Sequence, residues 1–109
     1  MEKLNTVLKV VAVEDNVRFP FPDTEKVRSE SIDALSLDVR CQNGLKRNGV
    51  LTIGGILDSI DNGSLSKFRS LGKKSVNKIM YELCAYRYRQ LSEKKQKDYL
   101  MKIVRMNTV

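Results

Sequence analysis

The sequence predicts an all-α fold, a compact bundle of four to five short helices with helix-hairpin-helix character. Residues 31–89 carry short helical patterns that are interrupted by Gly and Asn. Two apolar-glycine dipeptides, Ile53-Gly54 and Leu71-Gly72, each stand at the start of a helical pattern, as in hairpins between helices. Residues 90–107 add a basic helical segment at the C-terminal end.

The N-terminal segment has a different pattern. The run TVLKVVAV is apolar and rich in β-branched residues, which favours a strand. Pro20 and Pro22 exclude a helix from the charged stretch that follows. We therefore divide the chain into a strand or hairpin with a linker over residues 1–30, a helical domain over 31–89 and a basic helical extension over 90–109.

The stretch DVRCQNGLKRNGV predicts a helix of about ten residues. Cys41 and Leu45 are four positions apart and can face a core, whereas Arg40 and Asn43 lie on another face. The Asn-Gly pair that follows ends the helix, because glycine readily adopts the left-handed backbone needed after a helix. Further helices are predicted over TIGGILDSI, over one turn at NGSLSKF, and from Lys73 onward.

Composition limits the classes of protein that remain. A length of 109 residues with 41% apolar content suits one small domain with a modest core. Cys41 and Cys84 form no CxxC pair and histidine is absent, which argues against a metal site and a Cys/His catalytic pair. Both cysteines are predicted to be reduced core residues. The apolar runs are too short for a secretory signal or membrane span, so we expect no membrane partner and a cytoplasmic location.

The net charge of +7 is concentrated in the C-terminal third. Residues 69–105 contain eleven basic residues and three acidic ones, which leaves the rest of the sequence slightly negative. Such asymmetry indicates a surface for a polyanion, with nucleic acid as the expected ligand. A lysine-rich surface that only maintains solubility is the alternative.

Lys73 and Lys74 occupy the first turn of a predicted helix. The unpaired N–H groups there carry partial positive charge, so each cation costs about 0.3–1 kcal/mol. A bound phosphate would remove this cost, because amides and ammonium groups would then converge on one anion. The glycine before them, Gly72, would let a phosphate approach the backbone closely.

From Ser31 to Leu83 the sequence resembles the C-terminal domain of the bacterial RNA polymerase alpha subunit. The resemblance rests on LSLDVRCQNGLKRNGVLTIGGIL, followed at the expected distance by LGKKS. It implies a compact all-α domain that binds the minor groove of A·T-rich double-stranded DNA. RNA polymerase, sigma factor and transcription regulators are the implied protein partners, and a nucleoid-associated location follows.

The resemblance also assigns residues to the DNA interface. The family's contacting arginine corresponds to Arg40, its asparagine to Asn43, the loop glycine to Gly72, and the next lysine and serine to Lys74 and Ser75. The neighbouring positions of the implied DNA face are Gly44, Lys46 and Lys78.

Several positions depart from the family pattern. Lys78 stands where the family often carries a glutamate, which adds positive charge to the face. Ala34 and Ser36 replace acids that can face sigma factor in the family. Only about 30 residues precede the domain, so we expect either a free-standing module or a fragment of a longer alpha subunit.

Two functional hypotheses follow, a DNA-binding module and a protein-interaction module that contacts polymerase, sigma or a regulator. An enzyme is not expected, because no carboxylate cluster, nucleophile motif or phosphate-binding P-loop is present. No catalytic residue, metal or cofactor is therefore predicted.

Overall fold

The computed structural model describes residues 2–11 and 19–107 of the protein. The described part contains two one-turn 3-10 helices, Ile32–Ala34 and Leu65–Lys67, and no strand. Its α-helices are α1 (Glu2–Val11), α2 (Glu25–Arg28), α3 (Val39–Arg47), α4 (Ile53–Asp61), α5 (Lys73–Arg89) and α6 (Glu93–Asn107). The all-α prediction is confirmed, and α3, α4 and α5 begin within the stretches from which they were predicted.

The predicted N-terminal strand or hairpin is wrong for residues 2–11, which form α1. Leu4 and Leu8 lie one turn apart and are both buried, so the segment packs as an amphipathic helix. This packing, which is against α6, outweighs the β-propensity of the Thr and Val residues. The remainder of the predicted strand, residues 12–13, lies outside the described residues.

The charged stretch predicted as a linker is irregular over residues 19–24 but then forms α2. The Thr24 hydroxyl oxygen accepts a hydrogen bond from the Val27 amide at 3.3 Å, which caps this single turn.

The described part of the protein divides into two compact units. One unit comprises residues 22–82, and the other comprises the described residues up to Phe21 together with those from Leu83 onward. The boundary falls within α5.

The unit of residues 22–82 buries ten apolar residues. Two backbone hydrogen bonds join its beginning to the start of α4: the Ile32 amide donates to the Leu51 carbonyl at 3.1 Å, and the Ile53 amide donates to the Glu30 carbonyl at 2.9 Å. Burial of each large apolar side chain stabilises the fold by about 1.5–3 kcal/mol. The core residues are Ile32, Leu35, Cys41, Leu45, Val50, Ile53, Ile56, Leu65, Leu71 and Ile79.

Ile53 and Gly54 lie in the first turn of α4, so this dipeptide stands at the start of a helix as predicted. Thr52 caps this helix by accepting a hydrogen bond from the Gly55 amide at 3.1 Å. A β-carbon on Gly54 would lie 2.9 Å from the Arg28 carbonyl oxygen. The glycine therefore allows α2 to approach α4 closely.

The other unit combines α1, α6 and the end of α5. The Tyr99 hydroxyl donates a 2.7 Å hydrogen bond to the Pro20 carbonyl, which fixes the proline segment to α6. The ring of Phe21 stacks on Tyr86 with centroids 6.3 Å apart. Its buried apolar residues are Leu4, Leu8, Leu83, Cys84, Ala85, Tyr88, Tyr99, Leu100 and Ile103.

Both cysteines are buried and free, as predicted. Burial raises the pKa of the Cys84 thiol to about 11, and burial likewise raises the pKa of Cys41. These thiols therefore stay protonated near neutral pH and are poor nucleophiles.

None of the helices in the part of the protein that the structure describes has the length and apolar character needed to cross a membrane.

Candidate nucleic-acid interface

The N-terminal half of α3 is attached to the second turn of α5. Asp38 caps α3, because one carboxylate oxygen accepts a hydrogen bond from the Cys41 amide at 2.8 Å. Its other oxygen forms an ion pair with the Lys78 ammonium at 2.7 Å. The Cys41 thiol then lies 3.8 Å from the Ser75 carbonyl oxygen, to which it donates.

The C-terminal half of α3 is attached to the segment before α5. A β-carbon on Gly44 would lie 2.5 Å from a terminal methyl of Leu71, so any larger residue here would require the Leu71 side chain to shift. The Asn48 side-chain amide donates to the Gly44 carbonyl at 2.7 Å and to the Arg69 carbonyl at 3.2 Å. Both halves of α3 are therefore held beside the start of α5.

The predicted interface residues fall into two groups. Gly44 and Ser75 are buried. The exposed group consists of Arg40, Asn43, Lys46, Gly72, Lys74 and Lys78.

Arg40 and Asn43 lie one turn apart on the outer face of α3. Gly72 immediately precedes α5, and Lys74 is in the first turn of that helix. A β-carbon on Gly72 would meet nothing within 4 Å, so the backbone here is open to solvent. The fold therefore brings the two predicted parts of the interface onto adjacent elements.

The two buried members of the predicted set pack between α3 and the start of α5. Gly44 packs against Leu71, and the carbonyl of Ser75 accepts a hydrogen bond from the Cys41 thiol. These contacts set the spacing between α3 and α5. Direct DNA contact by Gly44 or Ser75 stays a prediction.

The positive charge of Lys78 is compensated by Asp38. Their hydrogen bond lowers the pKa of Asp38, with a further contribution from the Cys41 amide, and raises the pKa of Lys78. The pair is exposed, so its attraction is screened by solvent. Lys78 is therefore tied to the N-terminus of α3 by this ion pair, and its contact with DNA stays a prediction.

The pKa of Asp38 predicts an acid dependence of stability. Because the folded pKa lies below the unfolded value of about 3.9, the contribution of Asp38 is present above that pH and is lost as pH falls through the folded value. Replacing Asp38 with Asn keeps an N-cap but removes the charge. We expect Asp38→Asn to be less stable than the wild type at pH 7, and the difference to shrink between about pH 5 and pH 2.

Urea unfolding at a series of pH values measures this effect. Asp33→Asn removes an exposed carboxylate that forms no ion pair among the described residues, and it serves as the control. An Asp38→Asn difference that stays constant across this pH range would contradict the role assigned to the ion pair.

Sequence reasoning missed Asp38 and Ser70 as parts of this region. Ser70 has a positive φ of 72°, which is unusual for a residue other than glycine. Its hydroxyl lies 3.4 Å from an Arg47 guanidinium nitrogen that donates to it. The strained position could not be recognised from the sequence, because serine carries no signal for a left-handed backbone. Asp38, a helix-capping residue type directly before the predicted helix, did carry a signal.

Among the described residues, no group of three or more His, Cys, Asp or Glu side chains is arranged to hold a metal ion.

Comparisons with known proteins place the sequence in one family. The model of the family described as the C-terminal domain of the alpha subunit of bacterial RNA polymerase matches residues 20–84. DNA-directed RNA polymerase subunit alpha of Borreliella burgdorferi is 37% identical over 106 residues, which covers 90% of this chain and 30% of that protein. None of the solved structures gives a significant match.

Two further relatives carry the same name. The alpha subunits of Syntrophomonas wolfei and Staphylococcus aureus strain Newman are each 39% identical over 59 residues, which is 54% of this chain and 18% of either protein. The sequence thus spans less than a third of the length of these three relatives.

Proposed function

The chain belongs to the family of the C-terminal domain of the bacterial RNA polymerase alpha subunit, a transcription-related module, and on this premise we propose that it binds A·T-rich duplex DNA. Binding uses the minor groove and the phosphate backbone. The observation that carries the proposal is the exposure of Arg40 and Asn43 on α3 beside Gly72 and Lys74 at the start of α5.

The residues on α3 have the chemistry for a minor groove. A·T-rich tracts have a narrow groove with enhanced negative potential, which attracts an inserted arginine. The acceptors on the groove floor can receive hydrogen bonds from an asparagine amide. Arg40 and Asn43 are one turn apart, so both side chains can enter the same groove.

The start of α5 supplies contacts to the backbone of the DNA. The helix has 17 residues, and its N-terminal amides carry partial positive charge. Gly72 leaves these amides accessible, and the Lys74 ammonium adds a full charge. A phosphate bound here would offset the cost of placing Lys73 and Lys74 in the first turn.

The first test is a titration of the protein with A·T-rich and G·C-rich duplexes of equal length at two salt concentrations. We expect tighter binding to the A·T-rich duplex at both, and weaker binding to each at the higher salt. Equal affinity for the two duplexes would rule out the minor-groove preference. Absence of binding to either would overturn the proposed function.

Contact with RNA polymerase, sigma factor or a regulator is the second candidate function. Val39 and Leu51 favour it, because their side chains are apolar and exposed at 71% and 59% of their area. Purified polymerase core and sigma would each be tested for binding to the wild type and to Val39→Ser. A loss of binding in the variant supports this function, and equal binding contradicts it.

Neither proposed function requires catalysis by this protein alone. In both, it would act beside or within a polymerase complex, which would place it in the cytoplasm at the nucleoid.

A further inference from the structure

The outer face of α6 carries a second concentration of positive charge. Of the residues on this helix that are exposed, five are basic and two, Glu93 and Asp98, are acidic. The five basic residues are named the α6 basic face: Lys94, Lys95, Lys97, Lys102 and Arg105. The family match ends at residue 84, so this surface lies beyond the matched domain.

The charges of the α6 basic face are not neutralised within the described part of the protein. Glu93 and Asp98 lie three or four positions from several of these bases, yet no ion pair joins them there. Elsewhere the fold does pair its bases, since Arg28 binds Asp23 and Asp58 at 2.8 and 2.6 Å. The field of the α6 basic face is therefore available to an external anion.

The opposite side of α6 is already occupied. Tyr99, Leu100 and Ile103 are buried in the unit that α6 forms with α1. An amphipathic helix that binds a lipid surface must insert its apolar side, and here that side is in the protein core. The solvent side of α6 carries the basic residues together with three exposed apolar residues, Met101, Val104 and Met106, which are too few and too close to the charges to form a separate apolar face.

We propose that the α6 basic face binds the phosphate backbone of duplex DNA, as a contact surface separate from Arg40, Asn43, Gly72 and Lys74. The choice of duplex DNA as the ligand rests on the proposed function. From Lys94 to Arg105 the helix rises by about 16 Å, at about 1.5 Å per residue. Duplex DNA carries one charge per about 1.7 Å of its axis, so several phosphates lie within that length.

Such contacts make binding salt-dependent and independent of base sequence. Each phosphate contact contributes about 0.9 to the slope of log affinity against log salt. Removing two contacts lowers the slope by about 1.8, so the loss of affinity between 50 and 200 mM salt becomes about tenfold smaller than in the wild type.

The test compares two double variants of the 109-residue protein with equal net charge. Lys94→Gln with Lys102→Gln removes two bases of the α6 basic face, and Lys3→Gln with Lys26→Gln removes two exposed lysines of α1 and α2. Glutamine is a good helix former, so both proteins should fold, which far-UV circular dichroism verifies. We expect the lower salt slope in the first variant alone, on A·T-rich and G·C-rich duplexes alike.

An equal slope for wild type and the α6 variant, or an equal decrease in both double variants, would overturn the proposal. A decrease seen with duplex RNA but absent with duplex DNA would overturn it as well. Failure of the proposed minor-groove binding has a different signature, because the wild type would then bind both duplexes equally while the difference in slope between the variants remained.

Discussion

Replacing Arg40 with alanine is expected to weaken binding to A·T-rich duplex DNA by about 1–3 kcal/mol, or roughly 5- to 150-fold in Kd. The side chain is exposed on α3, and its guanidinium is the group best suited to the negative potential of a narrow minor groove. Because the loss concerns groove contacts, affinity for a G·C-rich duplex should fall less. Fluorescence anisotropy titrations with both duplexes measure the change.

Arg89→Ala is a matched control, since this exposed arginine at the end of α5 lies outside the candidate interface. The free energy of unfolding should be nearly unchanged in Arg40→Ala, because surface substitutions are usually within about ±0.5 kcal/mol. Equal losses of affinity in the two variants would show that Arg40 contributes only through net charge. An unchanged affinity in Arg40→Ala would remove it from the interface.

The second large effect is expected on stability. Replacing Gly44 with valine should lower the free energy of unfolding by about 1–3 kcal/mol. A β-carbon there would lie 2.5 Å from one Leu71 methyl and 2.8 Å from the Leu71 γ-carbon, so the buried Leu71 side chain must shift within a packed core. The helix-propensity gain from removing a glycine is smaller, about 0.5–1 kcal/mol. Urea unfolding followed by circular dichroism gives the difference in stability.

Gly72→Val is the matched comparison, because a β-carbon at Gly72 meets nothing within 4 Å. Its stability should stay within about 0.5 kcal/mol of the wild type, whereas its affinity for DNA should fall by about tenfold as the side chain blocks the backbone amides. Comparison of the two variants thus distinguishes the expected role of Gly44 in packing from the expected role of Gly72 in DNA binding. A stable Gly44→Val protein, or a Gly72→Val protein with unchanged DNA affinity, would contradict these assignments.

Local sequence signals predicted much of the helical unit. The Asn48-Gly49 pair ends α3 as expected, with Gly49 at a φ of 77°. The lysine pair after Leu71-Gly72 marked the start of α5 correctly. These signals worked because caps and glycine turns depend on a few neighbouring residues.

Features that depend on contacts with distant residues were not predicted correctly from local sequence. The β-prone run in the N-terminal segment forms part of α1, whose Leu4 and Leu8 are buried in the unit formed with α6. Gly54 stands at the start of a helix as predicted, but its close contact with Arg28, 26 positions away, was not anticipated. The ion pair of the Lys78 ammonium with Asp38, 40 positions away, was not anticipated either.

The sequence alone determined the all-α class, the main helix boundaries of the central unit and the candidate DNA-contacting residues, because these follow from periodicity, capping and a dense family motif. Tertiary structure alone decided which of those residues are exposed. Arg40, Asn43, Gly72 and Lys74 face solvent, whereas Gly44 and Ser75 are buried where α3 meets the start of α5. The physical reason is that burial depends on how closely two helices approach, and that distance is set by long-range contacts such as Gly44 with Leu71.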